Sequence, residues 1–203
     1  MERRGVLQNL IASAAALAAG AVPYGFAHLL APGRAAAERN YLHPPGALED
    51  PAAFVSACIG CGLCGEVCPP RCIRFHARDG GGKVNTPYID AEQKGCILCN
   101  NCMTVCPTEA LTVTVRDEID MGIAQIDRAA CYPWVDRGIC GACVSVCPIG
   151  DQAIGFKMWN QYRPFIRPGC VGCGLCVEVC PHPSTPIWII DRTAEMISER
   201  EAL

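Results

Sequence analysis

Four cysteine quartets, each closed by a proline, constrain this chain more than any other feature. Cys58, Cys61, Cys64 and Cys68 with Pro69 follow the spacing C-x2-C-x2-C-x3-C-P. So do Cys96, Cys99, Cys102 and Cys106 with Pro107, and Cys170, Cys173, Cys176 and Cys180 with Pro181. Cys131, Cys140, Cys143 and Cys147 with Pro148 form a stretched copy, eight residues separating the first two cysteines. This spacing holds cubane iron–sulfur clusters. Three closely spaced cysteines make a loop that wraps one face of a cubane, and Gly60, Gly62, Gly172 and Gly174 allow the positive φ such a wrap needs. The fourth cysteine lies one helical step beyond the third, a rise of about 6 Å. That step fits a bridge to a neighbouring cluster better than a return to the same one. The proline after it disfavours helical geometry for that cysteine.

Other chemistries fit the pattern less well. Disulfides need an even count, and there are seventeen cysteines. Structural zinc uses paired C-x2-C knuckles across a longer spacer. The expectation is four [4Fe–4S] clusters on the sixteen quartet cysteines, with every iron bound by a thiolate and no position open to substrate. The chain then reads as an electron carrier rather than an enzyme, and it has no glycine-rich nucleotide loop, nucleophile triad or paired carboxylates. Its formal charge of −3 gives no sign of nucleic acid. Each cluster with its thiolates adds about −2, so the loaded protein is acidic and suits a basic docking face on a partner. Cys72, the one cysteine outside the quartets, reads as a small packing residue. His28, His43, His76 and His182 show no ligand spacing, and Trp134, Trp159 and Trp188 are expected to shield clusters.

Residues 1–37 read as a targeting segment. Arg3-Arg4 precedes an apolar run in the manner of a twin-arginine signal, and residues 5–33 contain no Asp, Glu, Lys or Arg. Ala35-Ala36-Ala37 offers a cleavage site, while the uncharged run is also long enough for a retained membrane anchor. Cubanes are assembled on reduced thiols, so export of folded, loaded protein to the periplasm follows. A lead-in occupies 38–57, the polyferredoxin domain 58–190, and a tail or short helix 191–203. Short strands are expected at Cys72–His76 and Leu111–Val115. Thr86–Ile89 leads to the second quartet, and Ile119–Ile126 connects to the third. Ile154–Trp159, Phe165–Ile166 and Pro186–Ile190 flank the later ones, in a repeating order of strand, wrapping loop, short helix, strand. The predicted fold class is α+β: two ferredoxin-like two-cluster units with small sheets and short helices, stabilised largely by their clusters.

The chain resembles the NapG/MauM family of exported ferredoxin-type proteins. The resemblance rests on Pro44-Pro45-Gly46-Ala47-Leu48, Thr86-Pro87-Tyr88, Met121-Gly122, the gap between Cys131 and Cys140, and the leader. It implies four clusters and a place between a quinol-oxidising membrane polyferredoxin and a periplasmic reductase or dehydrogenase. Alternatives are the iron–sulfur subunit of a molybdenum oxidoreductase, or a maturation factor for a partner enzyme.

The first and last quartet segments differ at only two positions, Ile59 against Val171 and Gly65 against Val177. This match suggests the symmetric halves of one unit, and the resemblance to four-cluster subunits implies nested pairs. The expected ligand sets are therefore Cys58, Cys61, Cys64 with Cys180, and Cys170, Cys173, Cys176 with Cys68. They make an outer unit of 58–95 plus 165–190. Inside it, over 96–164, Cys96, Cys99, Cys102 would join Cys147, and Cys131, Cys140, Cys143 would join Cys106.

Overall fold

The computed structural model describes residues 41–77, 84–157 and 162–192. The expected targeting segment, Trp159 and nearly all of the C-terminal tail lie outside them. The described residues belong to one compact unit built from small sheets and very short helices. Strands β1 (Tyr41–Leu42), β2 (Ile73–Phe75) and β3 (Pro87–Asp90) form an antiparallel sheet in the order β1-β3-β2. Ile89, fully buried, stands opposite Leu42 on one side and Ile73 on the other. Two antiparallel pairs follow: β4 (Ile123–Ile126) with β7 (Ile187–Ile190), and β5 (Ile154–Lys157) with β6 (Arg163–Ile166).

One helix has an ordinary local cause. In α1 (Pro51–Ala57), the Asp50 carboxylate accepts from the N–H groups of Ala52 and Ala53 at 3.2 and 3.1 Å, Pro51 opens the first turn, and Phe54 enters the core. The others are α2 (Leu63–Glu66), α3 (Asn101–Val105), α4 (Ala142–Ser145) and α5 (Leu175–Glu178). At four or five residues they are far too short to persist unaided. Each carries the third cysteine of its quartet, so what binds those thiols also holds the helix. Gly60, Gly62, Gly172 and Gly174 take φ between 66° and 81° as the loop wrap requires. The second quartet makes the same turns at Leu98 (φ 55°) and Asn100 (φ 66°). Complete burial of Leu98 compensates the strain of a left-handed leucine.

Two expectations need correction. Leu111–Val115 does not form a strand: Leu111 alone bridges to Ala47, while Val113 and Val115 are 69% and 65% exposed. Alternating β-branched residues are not enough where no sheet edge is available. The nested outer and inner units are also absent. Helix α2 packs on α3 and α4 on α5, so each half of the chain pairs its own two quartets.

The halves meet along a polar seam. Cys96 N–H donates to the Cys173 carbonyl at 2.7 Å, and Met121 N–H to that of Val171 at 3.1 Å. Glu178 accepts from Gly95 N–H at 2.8 Å and from the Lys94 ammonium at 2.9 Å. Arg192, at the edge of the expected tail, is nearly buried. It pairs with Asp120 at 2.7 Å and donates to the carbonyls of Pro168, Gly122 and Cys170. A Cβ at Gly95 would stand 2.5 Å from the Leu175 nitrogen, and rigid backbone cannot yield there. Gly95→Ala is therefore expected to destabilise the fold by about 1–3 kcal/mol, as overpacking does, read as a lower thermal midpoint of the loaded protein.

Candidate metal centres

No cysteine of the chain is in a disulfide in this structure. The quartet thiols are gathered around four cavities. Cys58, Cys61 and Cys64 line the first with Cys106. Cys96, Cys99 and Cys102 line the second with Cys68. Cys131, Cys140 and Cys143 line the third with Cys180. Cys170, Cys173 and Cys176 line the fourth with Cys147. Each cavity thus has three cysteines from one loop and the fourth from the partner quartet. The expected crossing of the fourth cysteine is present, but between neighbours in sequence. Cys180 does not close the site of Cys58, nor Cys68 that of Cys170, nor Cys147 that of Cys96, nor Cys106 that of Cys131. The near-identity of the first and last segments reflects a shared loop conformation and not a shared cluster.

The empty space at the four sites, open solvent at their mouths included, is about 370, 290, 360 and 360 Å³ from first to fourth. Among the described residues no three His, Cys, Asp or Glu side chains converge as ligands of a single ion. Apolar side chains complete the walls: Phe54, Leu63 and Leu111 at the first, Ile126 and Ile187 at the third, Ile149, Ile166 and Ile189 at the fourth. The expected tryptophan shields are not among them. Trp134 donates to the Pro164 carbonyl at 2.9 Å and lies under the guanidinium of Arg128, and Trp188 is half-buried on β7.

Burial raises several of the quartet thiols above the ordinary range. Burial, with Cys58, Cys61 and Cys106 nearby, pushes Cys64 up to about 11. Burial, then Cys96, Cys99 and Cys64, pushes Cys102 up to about 12. Cys143 rises to about 12 by burial beside Cys140 and Cys131. Cys173 does so by burial beside Cys170, Cys147 and Cys96. Cys176 is held well above the ordinary thiol range by burial, then by Cys170, Cys173, Cys143 and Cys147. Burial also acts on Cys106, but hydrogen bonds from Thr108 and Leu111 outweigh it and bring that thiol down. These influences trace the neighbours: first cavity to second through Cys64 and Cys102, second to fourth through Cys96 and Cys173, fourth to third through Cys176 and Cys143.

Cys72 is more than filler. It is 2% exposed, lines the second cavity, and places its Sγ 3.5 Å from that of Cys68. Its hydrogen bond to Cys96, with burial, keeps it protonated and lowers Cys96. Sequence spacing gave no sign of this contact, because Cys72 falls outside the repeat.

The profile of a 4Fe-4S dicluster domain matches residues 57–110 and again 95–150, and a second 4Fe-4S dicluster profile matches residues 124–181. The matches at 57–110 and 124–181 each enclose one pair of neighbouring quartets. With four-thiol cavities in this arrangement, the chain is a ferredoxin-type iron–sulfur electron-transfer protein. It is 32% identical to the methylamine utilization ferredoxin-type protein MauM of Methylobacillus flagellatus, over 85% of this chain and 76% of that protein. It is 33% identical to the ferredoxin-type protein NapG of Escherichia coli, over 85% of this chain and 78% of that protein. The chain belongs to the NapG/MauM family of ferredoxin-type proteins. A formate dehydrogenase–heterodisulfide reductase–formylmethanofuran dehydrogenase complex from Methanospirillum hungatei matches 73% of the chain at 22% identity. Its TM-score of 0.26 is too low to read a common arrangement from.

The shared fourth cysteines have a measurable signature. Cys58→Ala with Cys106→Ala is expected to lose no more iron than either single variant, about four atoms. Cys58→Ala with Cys180→Ala loses about eight. Cys72→Ala keeps the full iron count, because four other thiols already surround the second cavity. Iron must displace the protons held by the raised thiols. Reconstitution of iron-free protein therefore releases acid and slows as pH falls, measured by dye-reported proton release and by the growth of cluster absorbance.

Proposed function

We propose that this protein carries electrons one at a time along four [4Fe–4S] clusters, in the order first, second, fourth, third. The observation that supports this reading is the contiguous row of four-thiol cavities: α2 packs on α3, Cys96 N–H at the second meets the Cys173 carbonyl at the fourth, and α4 packs on α5. When bound, each cluster supplies a one-electron couple. The chain's residues hold the clusters in register and keep water from them. They also tune them through hydrogen bonds to ligand sulfur, such as Leu98 N–H to Cys96 and Ala124 N–H to Cys170 at 3.4 and 3.5 Å.

The row ends at its most accessible members. Cys61 is exposed beside Ile59 at the first cavity, and Ile139, 85% exposed, precedes Cys140 at the third. Electrons enter at one of these ends and leave at the other. The donor is a quinol-oxidising membrane polyferredoxin and the acceptor a periplasmic reductase or dehydrogenase. Export of the folded, loaded protein uses the twin-arginine signal at Arg3-Arg4. Among the described residues no helix is long and apolar enough to cross a membrane.

Anaerobically purified protein is expected to hold about sixteen irons and sixteen labile sulfides, to be reduced in several one-electron steps, and to support turnover of a finished partner enzyme. A colourless zinc protein would sink this reading. Stimulation confined to the assembly of the partner, with no effect on the finished enzyme, would instead identify a maturation factor.

A further inference from the structure

The first and last cysteine loops have nearly the same sequence and the same backbone, but only one is covered. Gly60 and Gly172 take φ 66° and 70°, and Gly62 and Gly174 both take 81°. Around the last loop, Val171 and Val177 are 1% and 2% exposed. The Cys173 carbonyl accepts from Cys96 N–H. Glu178 accepts from Lys94 and Gly95. A Cβ on Gly174 would meet that of Ala91 at 2.7 Å. Lys94-Gly95-Cys96, which leads into the neighbouring site, thus covers the Glu178 and Cys173 side of the loop, while Ala91 covers Gly174 and Met121-Gly122 covers Val171 and Gly172.

Around the first loop the same groups stand open. Ile59 is 68% exposed, Leu63 42%, and Cys61 and Glu66 are exposed as well. Among the described residues none donates to the Cys61 carbonyl or to the Glu66 carboxylate, and a Cβ on Gly62 would meet nothing within 4 Å. Two points differ: Phe75 fills the place beside Gly65 that Val177 takes in the other loop, and Gly60 packs on Asn85 where Gly172 packs on Gly122. The rest of the docking chemistry is retained, and among the described residues none pairs with the Glu66 carboxylate or the Cys61 carbonyl.

We propose that the loop Cys58–Cys68 docks a separate ferredoxin-type protein that presents a lysine and a glycine just before one of its own cluster cysteines. This deepens the electron-carrier reading and rests on it. The partner's ammonium would meet Glu66, its loop N–H groups the Glu66 carboxylate and the Cys61 carbonyl, and its apolar surface Ile59 and Leu63. Two clusters would then face each other across this junction as the second and fourth do within the chain. A second copy of this protein cannot supply the cover, because its Lys94 and Gly95 are already held by Glu178. Exposed ion pairs add little affinity but do set approach and register, which suits a contact that must release after each transfer.

The test uses the loaded full chain and a reduced two-cluster ferredoxin carrying Lys-Gly before a cluster cysteine, mixed by stopped flow. Glu66→Lys is expected to slow second-order electron transfer about tenfold at low salt, with Glu66→Gln intermediate and Glu118→Lys unchanged. Changing the ferredoxin's lysine to glutamate restores the rate with Glu66→Lys. Both effects vanish near 1 M salt, where screening acts within about 3 Å. Equal rates for Glu66→Lys and Glu118→Lys overturn the docking proposal, as does a wild-type chain that dithionite reduces but this ferredoxin does not. Amides 59–66 protected from hydrogen exchange in the free chain would mean that its own remaining residues cover the loop, and protection that grows with concentration would mean a second copy; either also overturns it. A chain that dithionite cannot reduce fails the carrier reading itself.

Discussion

The exchange of fourth cysteines between neighbouring quartets is the constraint on which the structure depends. A cubane needs ligands from more than one direction, and a short loop followed by one turn of helix supplies three of them. The fourth must come from elsewhere in the chain. By lending Cys68 to the second site and taking Cys106 from it, the first quartet ties two loops together without a large apolar core. The three small sheets brace this arrangement, and none is extensive enough to define a domain alone.

Much of this was legible in the sequence. The quartets picked out the sixteen thiols that line the four cavities, the glycines announced the wrap, and the prolines marked the ends of the short helices; Cys106 before Pro107 is extended, with ψ 121°. That the fourth cysteine reaches the neighbouring cavity was expected from helix rise and from the habit of two-cluster ferredoxins. Which quartets cross was not legible, since spacings of 35 to 39 residues between quartet starts allow either topology. Sequence likeness pointed the wrong way there, because a loop's conformation depends on its own residues while its partner depends on the fold.

The remaining misses share a cause. Leu111–Val115 has strand composition but no neighbour to pair with. Cys72 lacks any motif, yet three-dimensional packing presses it against two ligands. Arg192 lies in what reads as a tail, and only tertiary structure shows it tying Asp120 to the backbone around Cys170. Leu111–Val115 and Arg192 turn on partners distant in the chain, and Cys72 on Cys96 as well as on Cys68 four residues before it, none of which local pattern encodes.

The pairing of adjacent quartets also orders the protein's synthesis. A chain made from its N-terminus completes the ligand sets of its first two sites once Cys106 has emerged. The other two must wait for Cys176 and then Cys180. The leading half can thus be loaded while the trailing half is still being translated, and half-built intermediates have only two sites to fill. Under a nested arrangement, the earliest cysteines would have stood unprotected until almost the whole chain was made.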